Sequence, residues 1–137
     1  MRGREYVNKK DDCMMNKLSI IIPLFNEEEA IPYLYNRLIK VAEKIDNYDL
    51  EFLFVNDGSK DNSLNLIKEY KKSDERITYL SLSRNYGKEI AMKAAIDYVN
   101  SDVVVIMDAD LQHPPELILE MLKFYHMGYD DVYGKRK

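Results

Sequence analysis

The chain has 137 residues, and 20 lysines and arginines stand against 24 aspartates and glutamates, which gives a net charge of −4. This length suits one domain, and a content of 46% hydrophobic and 32% charged residues is typical of a globular chain. A negative net charge argues against a nucleic-acid partner, because binding to a phosphate backbone requires a basic surface. We therefore expect one globular domain with no nucleic-acid partner.

The first 16 residues are polar and lack the apolar core of a secretory signal. We interpret residues 1–16 as a disordered N-terminal extension and residues 17–137 as the domain. The single cysteine, Cys13, cannot form an internal disulfide, which suits a reducing, cytoplasmic compartment. The longest apolar stretches are much shorter than the roughly 20 residues of a membrane span, so no transmembrane segment is predicted.

The first half of the domain alternates short apolar runs with segments of helical period. Residues 18–22 are predicted to form a buried strand that ends at Pro23, and a helix is expected to start near Glu27. The apolar stripe of this helix recurs every three or four residues and comprises Ile31, Leu34, Leu38, Val41, Ala42 and Ile45. A second strand is predicted at residues 50–55, a second helix around Ile67, and a third strand at residues 77–82.

The second half continues the same alternation. The third helix is predicted to bury a stripe made of Ile90, Ala91, Ala94, Ala95 and Tyr98. Residues 102–107 are nearly all apolar, as in a strand covered on both faces. Pro114 and Pro115 are expected to open a fourth helix that ends at Gly128, and residues 131–134 to start a fifth strand. This pattern predicts an α/β fold, a mostly parallel sheet with helices on both faces.

Polar clusters follow the first four predicted strands, at residues 23–27, 56–59, 84–88 and 108–112. The carboxyl ends of parallel strands share one edge of a sheet, and ligands bind in the crevice there. We therefore expect these four clusters to form one site.

Asp108 and Asp110 leave the fourth strand two residues apart. Such a pair can hold Mg²⁺ or Mn²⁺ together with substrate phosphates, although aspartates after a strand also occur in ordinary turns. Gln112 and His113 follow in the same loop. We interpret His113 as a packing or hydrogen-bonding residue more readily than as a ligand.

The second and third clusters each allow two interpretations. The Asp57-Gly58 pair is either a tight turn that caps the next helix or a site where Asp57 accepts hydrogen bonds from a base or ribose. Arg84 and Lys88 flank a glycine at a helix start, which favours phosphate, although a solvated charge run is common there. The sequence has no Gly-x-Gly-x-x-Gly motif of dinucleotide-binding proteins after the first strand and no Gly-Lys-Ser/Thr phosphate-binding loop. It also gives no support for Ser/His/Asp or Cys/His catalysis.

Four segments resemble glycosyltransferase family 2, which has the GT-A fold. They are SIIIPLFNEE from residue 19, VNDGS from residue 55, SRNYGKE from residue 83 and MDADLQHPPE from residue 107. The subgroup most similar to them is the polyprenyl- or dolichyl-phosphate sugar transferases. The resemblance implies a Rossmann-like nucleotide-sugar-binding domain and an inverting, metal-dependent transfer from a UDP- or GDP-linked sugar to an acceptor.

The resemblance also implies roles for individual residues. The base and ribose pocket would be lined by Pro23, Phe25 and Glu27, with Asp57 on the nucleobase. The nucleotide and diphosphate would face Arg84 and Lys88, and the metal (Mg²⁺ or Mn²⁺) and donor would be held by Asp108, Asp110 and Gln112. The implied partners are a nucleotide sugar and a lipid-phosphate acceptor at the cytoplasmic membrane face.

The sequence departs from the family in two ways. Phe25 stands where the family often has tyrosine, and Asp131 falls in a strand that is usually more apolar. The family's acceptor-side carboxylate and arginine and its membrane helices are expected beyond Lys137. The chain is therefore predicted to be the donor-binding half, incomplete at its C-terminus, with the general base unassigned. The alternative is a non-catalytic nucleotide-sugar-binding module or an inactive fragment.

Overall fold

The structure, a computed structural model, describes residues 6–7, 11–12, 16–110 and 114–128. Two short strands, β1 (Tyr6–Val7) and β2 (Asp11–Asp12), pair antiparallel near the N-terminus. Asn16, the last residue of the predicted extension, is the first residue of a strand of the central sheet. Residues 1–5, 8–10 and 13–15 lie outside the described ones, so the disordered extension stays a prediction. The predicted strand at 131–134 and the predicted site residue Gln112 also lie outside the described residues.

A parallel four-stranded sheet forms the centre of the domain, in the order β5-β4-β3-β6. Its strands are β3 (Asn16–Leu24), β4 (Tyr48–Asn56), β5 (Ile77–Ser81) and β6 (Val103–Ile106). The helices are α1 (Ile31–Ala42), α2 (Ser63–Ser73), α3 (Lys88–Tyr98) and α4 (Leu117–His126). The predicted α/β class is confirmed, with β-strands and helices alternating along the chain from Asn16 to His126.

Helices cover both faces of the sheet because successive strand side chains point to opposite sides. Ile20 and Phe52 belong to the larger core cluster, which includes residues of α1, α2 and α4. Ile21 and Leu53, each one position further along, pack with α3 in a second cluster. The two central strands, β3 and β4, therefore contribute to both core clusters.

Pro23 does not end the first strand, which continues to Leu24. On the β6 side the last paired position is Ile21, whose carbonyl accepts a hydrogen bond from the Met107 N–H at 3.0 Å. Backbone groups alternate sides along a strand, so the nitrogen of Pro23 faces the β6 side beyond the end of that ladder. The missing N–H therefore costs no sheet hydrogen bond, and the prediction that Pro23 closes the strand was wrong.

Helix α1 begins at Ile31, four residues after the predicted start at Glu27. The N–H groups of Ala30 and Ile31 both donate to the Glu27 carbonyl, at 3.0 and 3.1 Å, which makes a separate turn before the helix. Pro32 occupies the first turn of the helix, where its fixed φ fits and its missing N–H is not needed. Glu27, Glu28 and Glu29 therefore belong to the loop between β3 and α1, next to the carboxyl edge of the sheet.

The face of the sheet around α3 is more exposed than predicted. Ala91 and Ala95 are buried against the sheet, but Ile90 and Tyr98 are 51% and 52% exposed. Val104 and Ile106 of β6 are each 39% exposed, because α3 packs on β3 and β4. The predicted apolar stripe of α3 is therefore only partly buried, and β6 is not covered on both faces.

The start of the fourth helix also differs from the prediction. Leu117 donates its N–H to the Pro114 carbonyl at 3.0 Å, so a turn precedes α4 and the helix begins at Leu117. Gly128 follows the helix with a φ of 105°, a left-handed conformation that suits glycine at a helix end. Among the described residues, no helix is long and apolar enough to cross a membrane.

Candidate donor-binding site

A cavity of about 350 Å³ opens at the carboxyl edge of the sheet, where the four polar clusters meet. Seven of the nine predicted site residues line it, namely Pro23, Phe25, Glu27, Asp57, Lys88, Asp108 and Asp110. They lie in or directly beside four loops that are far apart in the sequence. These loops follow β3, β4, β5 and β6 and are numbered first to fourth in that order. The structure therefore brings the four clusters together as the parallel topology requires.

Asn26 ties the first loop to the second. It has a φ of 53°, a left-handed conformation that asparagine tolerates better than most residues. Its N–H donates to Ser59 Oγ at 2.9 Å, and its Oδ1 accepts from the Lys60 N–H at 2.8 Å and, weakly, from the Asp61 N–H at 3.4 Å. The Glu27 N–H also donates to Ser63 Oγ, at 3.0 Å. These bonds hold the backbone that carries Phe25 and Glu27 beside the start of α2.

Asp57 ties the second loop to the third. It is only 4% exposed, and its two carboxylate oxygens accept hydrogen bonds from the Tyr86 N–H at 2.8 Å and the Gly87 N–H at 3.0 Å. Gly58 lies against the same loop, since a Cβ at this position would be 2.3 Å from the Arg84 carbonyl carbon. Both contacts place the loop before α3 directly over the end of β4.

Lys88 ties the third loop to the fourth. It is the first residue of α3, and its ammonium group forms an ion pair with the Asp108 carboxylate. Both residues line the cavity. The four loops are thus joined in sequence order by contacts between neighbouring pairs.

Two predicted site residues are not placed in the cavity wall. Arg84 lies outside the lining residues, and its guanidinium carbon is 4.9 Å from the centre of the Tyr86 ring, a cation–π contact. Gln112 lies outside the described residues. Arg84 thus does not line the cavity, and its predicted role at the diphosphate stays a prediction.

Several carboxylates interact with one another in and beside the cavity. Partial burial raises the pKa of Glu27, and the nearby charges of Asp110, Asp61 and Asp108 raise it further. Lys88 supplies positive charge in the same space through its pair with Asp108. A cation that entered the cavity would relieve repulsion among carboxylates that the fold holds together.

The acidic residues suit a hard divalent ion that is bound partly by protein carboxylates and partly by the phosphates of a substrate. Within the described residues, no group of three or more histidine, cysteine, aspartate or glutamate side chains forms a ready-made metal site. Mg²⁺ typically binds through one or two carboxylates plus substrate phosphates and keeps several waters. Asp108 and Asp110 fit that donor set, because both line the cavity into which a diphosphate could reach.

Sequence reasoning missed the residues that join the first two loops. Asn26, Ser59 and Ser63 fix backbone positions through side-chain hydrogen bonds. Asparagine between a strand and a helix is a known turn signal, since it adopts left-handed conformations and bonds to nearby backbone. The residue type could therefore have been flagged, but its partners, more than 30 positions away, could not.

Comparison with known proteins identifies the class. A family model described as Glycosyl transferase family 2 matches residues 19–137. The chain belongs to glycosyltransferase family 2, as the four sequence segments predicted, and its fold is the α/β fold of the GT-A type.

Sequence relatives agree with this class. The chain is 46% identical over 119 residues to "Uncharacterized glycosyltransferase YkcC" of Bacillus subtilis, covering 86% of this chain and 36% of that protein. It is 41% identical over 120 residues to "Bactoprenol glucosyl transferase" of Shigella phage SfX, covering 88% and 39%. The chain thus spans less than two-fifths of the length of these relatives.

Two solved structures share the fold at low sequence identity. Residues 1–349 of S. aureus TarS, in complex with UDP-GlcNAc, match with a TM-score of 0.65 and 24% identity, covering 81% of this chain and 31% of that one. The mannosyltransferase PcManGT from Pyrobaculum calidifontis, in complex with GDP-Man and Mn²⁺, matches with a TM-score of 0.60 and 22% identity, covering 71% and 28%.

Proposed function

We propose that this chain binds a nucleoside-diphosphate sugar together with Mg²⁺ or Mn²⁺ and supplies the donor side of a glycosyl transfer. The observation that carries the proposal is the cavity at the carboxyl edge of the sheet, where Asp108 and Asp110 lie with Lys88. Carboxylates for a divalent ion and a lysine for phosphate in one cavity suit a metal-bridged diphosphate. Two structural neighbours hold sugar nucleotides in their own sites, which supports this reading.

The roles of the residues follow from their positions in the cavity. Pro23, Phe25 and Glu27 form the wall beside the first loop and are proposed to receive the base and ribose. Phe25 is 40% exposed, so its ring is accessible to a stacked base. Asp57 is proposed to contact the nucleobase.

Other residues of the cavity lining are proposed to receive the phosphates. Lys88 lies at the N-terminus of α3, where the helix dipole also favours negative charge. Arg84 is proposed to reach the diphosphate by leaving its contact with the Tyr86 ring. The metal and donor are assigned to Asp108, Asp110 and Gln112.

The chemistry assigned to this site is displacement at the anomeric carbon. An acceptor oxygen forms a bond to that carbon while the bond to the β-phosphate breaks, and the nucleoside diphosphate leaves with the electron pair. A divalent ion bound here would stabilise that negative charge, and Lys88 contributes to the same stabilisation. Attack from the opposite face gives inversion.

The acceptor is proposed to be a polyprenyl phosphate at the cytoplasmic face of a membrane. Support comes from similarity to proteins named bactoprenol glucosyl transferase. A phosphate oxygen is already anionic, so it requires less help from a general base than a sugar hydroxyl does. No general base is assigned among the described residues of the four loops.

The rival function is a module that binds the donor without transferring the sugar. Incubation with radiolabelled UDP-glucose or GDP-mannose and polyprenyl phosphate, with Mn²⁺, separates the two functions. Label in the lipid fraction, lost when Mn²⁺ is replaced by a chelator, is the result expected of an enzyme. Metal-dependent donor binding without labelled lipid would favour the binding module, and the absence of donor binding would contradict both.

A further inference from the structure

We propose that Asp57 is a positioning residue that fixes the backbone before α3, and through it the place of Lys88 at the diphosphate. The inference rests on the proposed function and adds to the nucleobase contact assigned to Asp57. It predicts that Asp57 affects the binding of phosphates even when no base is present.

The contacts of Asp57 are suited to such a role. One carboxylate oxygen accepts the Tyr86 N–H and the other the Gly87 N–H, at 2.8 and 3.0 Å. The residue is 4% exposed, so water competes little for these oxygens. Hydrogen bonds from neutral donors to a buried charged acceptor are stronger than those between neutral groups.

A second observation shows that the two loops are closely apposed. Gly58 adopts a φ of 72°, and a Cβ there would lie 2.3 Å from the Arg84 carbonyl carbon and 2.4 Å from the Asn85 nitrogen. These are backbone atoms, which cannot rotate away as a flexible side chain can. Asp57 and Gly58, neighbours in the loop after β4, therefore hold the four consecutive residues 84–87. Asp57 does so by hydrogen bonds and Gly58 by direct packing.

The hydrogen bond to the Gly87 N–H also restrains the position of Lys88. Gly87 precedes α3 with a φ of 104° and a ψ of 154°, a conformation that is essentially restricted to glycine. Lys88 is the next residue, and it pairs with Asp108 across the cavity. If the Gly87 N–H loses its acceptor, more φ and ψ angles become accessible at Gly87, and these angles set the direction of Lys88.

A base-free probe separates this role from contact with the nucleobase. Inorganic pyrophosphate carries the diphosphate without base or ribose. If Asp57 acts only on the base, its replacement weakens the binding of UDP and leaves pyrophosphate unaffected. If Asp57 positions the loop, the binding of both ligands weakens.

The variant for this test is Asp57→Asn, which keeps the size of the side chain but directs an amide NH₂ at one of the two N–H donors. Its control is Asp97→Asn, an equal change of charge on a side chain of α3 that is 67% exposed. Titration with pyrophosphate and with UDP, each with Mn²⁺, is expected to show about tenfold weaker binding of both ligands to Asp57→Asn, the effect of losing one strong hydrogen bond. Loss confined to UDP would overturn the proposal.

Amide hydrogen exchange supplies a measurement that needs no ligand. In the wild-type chain the Tyr86 and Gly87 amides are expected to exchange at least about tenfold more slowly than in an unstructured peptide, and to lose this protection in Asp57→Asn. Unprotected wild-type amides would overturn the proposal even if Asp57→Asn fails to fold. If wild-type protein binds neither UDP nor pyrophosphate, the proposed function fails, while exchange still decides whether Asp57 holds the loop.

Discussion

The ammonium group of Lys88 forms an ion pair with the carboxylate of Asp108, and both residues line the cavity. The pair links the start of α3 to the loop after β6, the two segments from which a cation and a metal ligand are expected. Lys88 thus neutralises part of the negative charge around Glu27 and Asp108. A metal ion that binds Asp108 must compete with Lys88, and the released ammonium is then available to phosphate.

Replacement of Lys88 with methionine is expected to have opposite effects on two ligands. Mn²⁺ alone binds more tightly to Lys88→Met, because Asp108 no longer has a competing cation. UDP in the presence of Mn²⁺ binds about tenfold more weakly, because a charged contact to phosphate is lost. Calorimetric titrations measure both affinities.

The matched control for Lys88 is Lys93→Met, on the same helix, where the lysine is 77% exposed and pairs with Asp97. It is expected to bind both ligands as the wild-type chain does. Equal changes in the two variants would show that net charge, rather than the position of Lys88, determines binding.

Substitution of Asp110 by alanine is expected to abolish the metal dependence of UDP or GDP binding. Two carboxylates are a small set of protein ligands, so the loss of one leaves the ion held mainly by water and phosphate. Titrations with and without Mn²⁺ give the dependence, with the exposed Asp97→Ala as control. Unchanged metal-dependent binding in Asp110→Ala would refute its assignment as a ligand.

Substitution of Gly58 by alanine is expected to destabilise the fold by about 3 kcal/mol, combining an unfavourable positive φ with a forced shift of backbone. The control is Gly128→Ala, where φ is 105° and none of the described residues lies within 4 Å of the added Cβ. That variant is expected to lose only about 1 kcal/mol, from the backbone conformation. Urea unfolding measures both values, and equal losses would argue against the close approach of the two loops.

The stability of the fold is expected to depend on Asp74 at acidic pH. Two hydrogen bonds from the Arg76 guanidinium, each 2.9 Å, are the main cause that lowers the pKa of Asp74 from 3.8 to about 2. The Tyr35 hydroxyl donates to the same carboxylate at 2.7 Å. The pKa is lower in the folded than in the unfolded chain, so the stabilisation is complete above about pH 4 and is lost as the pH falls toward 2.

The corresponding variant is Asp74→Asn, which is expected to be about 2 kcal/mol less stable than the wild-type chain at pH 7. The difference should shrink as the pH falls from 4 to 2, because the wild-type carboxylate becomes protonated. Urea unfolding at a series of pH values measures this, with Asp97→Asn as control. A difference that stays constant across that range would show that the charge of Asp74 is not what stabilises the fold.

The order of strands and helices could be predicted because each element carries its own pattern. β3 and β4 are short apolar runs, and the buried stripe of α1 recurs at helical spacing. The convergence of the clusters followed from the parallel topology. What could not be predicted depends on neighbours in space, such as Pro23 continuing a strand where the adjacent ladder has ended, or Ile90 remaining exposed on a helix whose contact with the sheet is made by two alanines.

The candidate site could likewise be predicted only in part from the sequence. The residue types of Asp57, Lys88 and Asp108 indicated contacts with a base or ribose, with phosphate and with a metal ion, and their loops followed from the strand pattern. Their contacts did not, because the partners of Asp57 lie about 30 positions away. Arg84 was predicted at the diphosphate from its charge and position, whereas the structure places it on the Tyr86 ring.

Calorimetric titration of the wild-type chain with UDP and GDP, with and without Mn²⁺, tests the central claim most directly. The proposed donor site predicts measurable binding of at least one of the two nucleotides, strengthened by Mn²⁺ and removed by a chelator. No metal-dependent affinity for either nucleotide would contradict it.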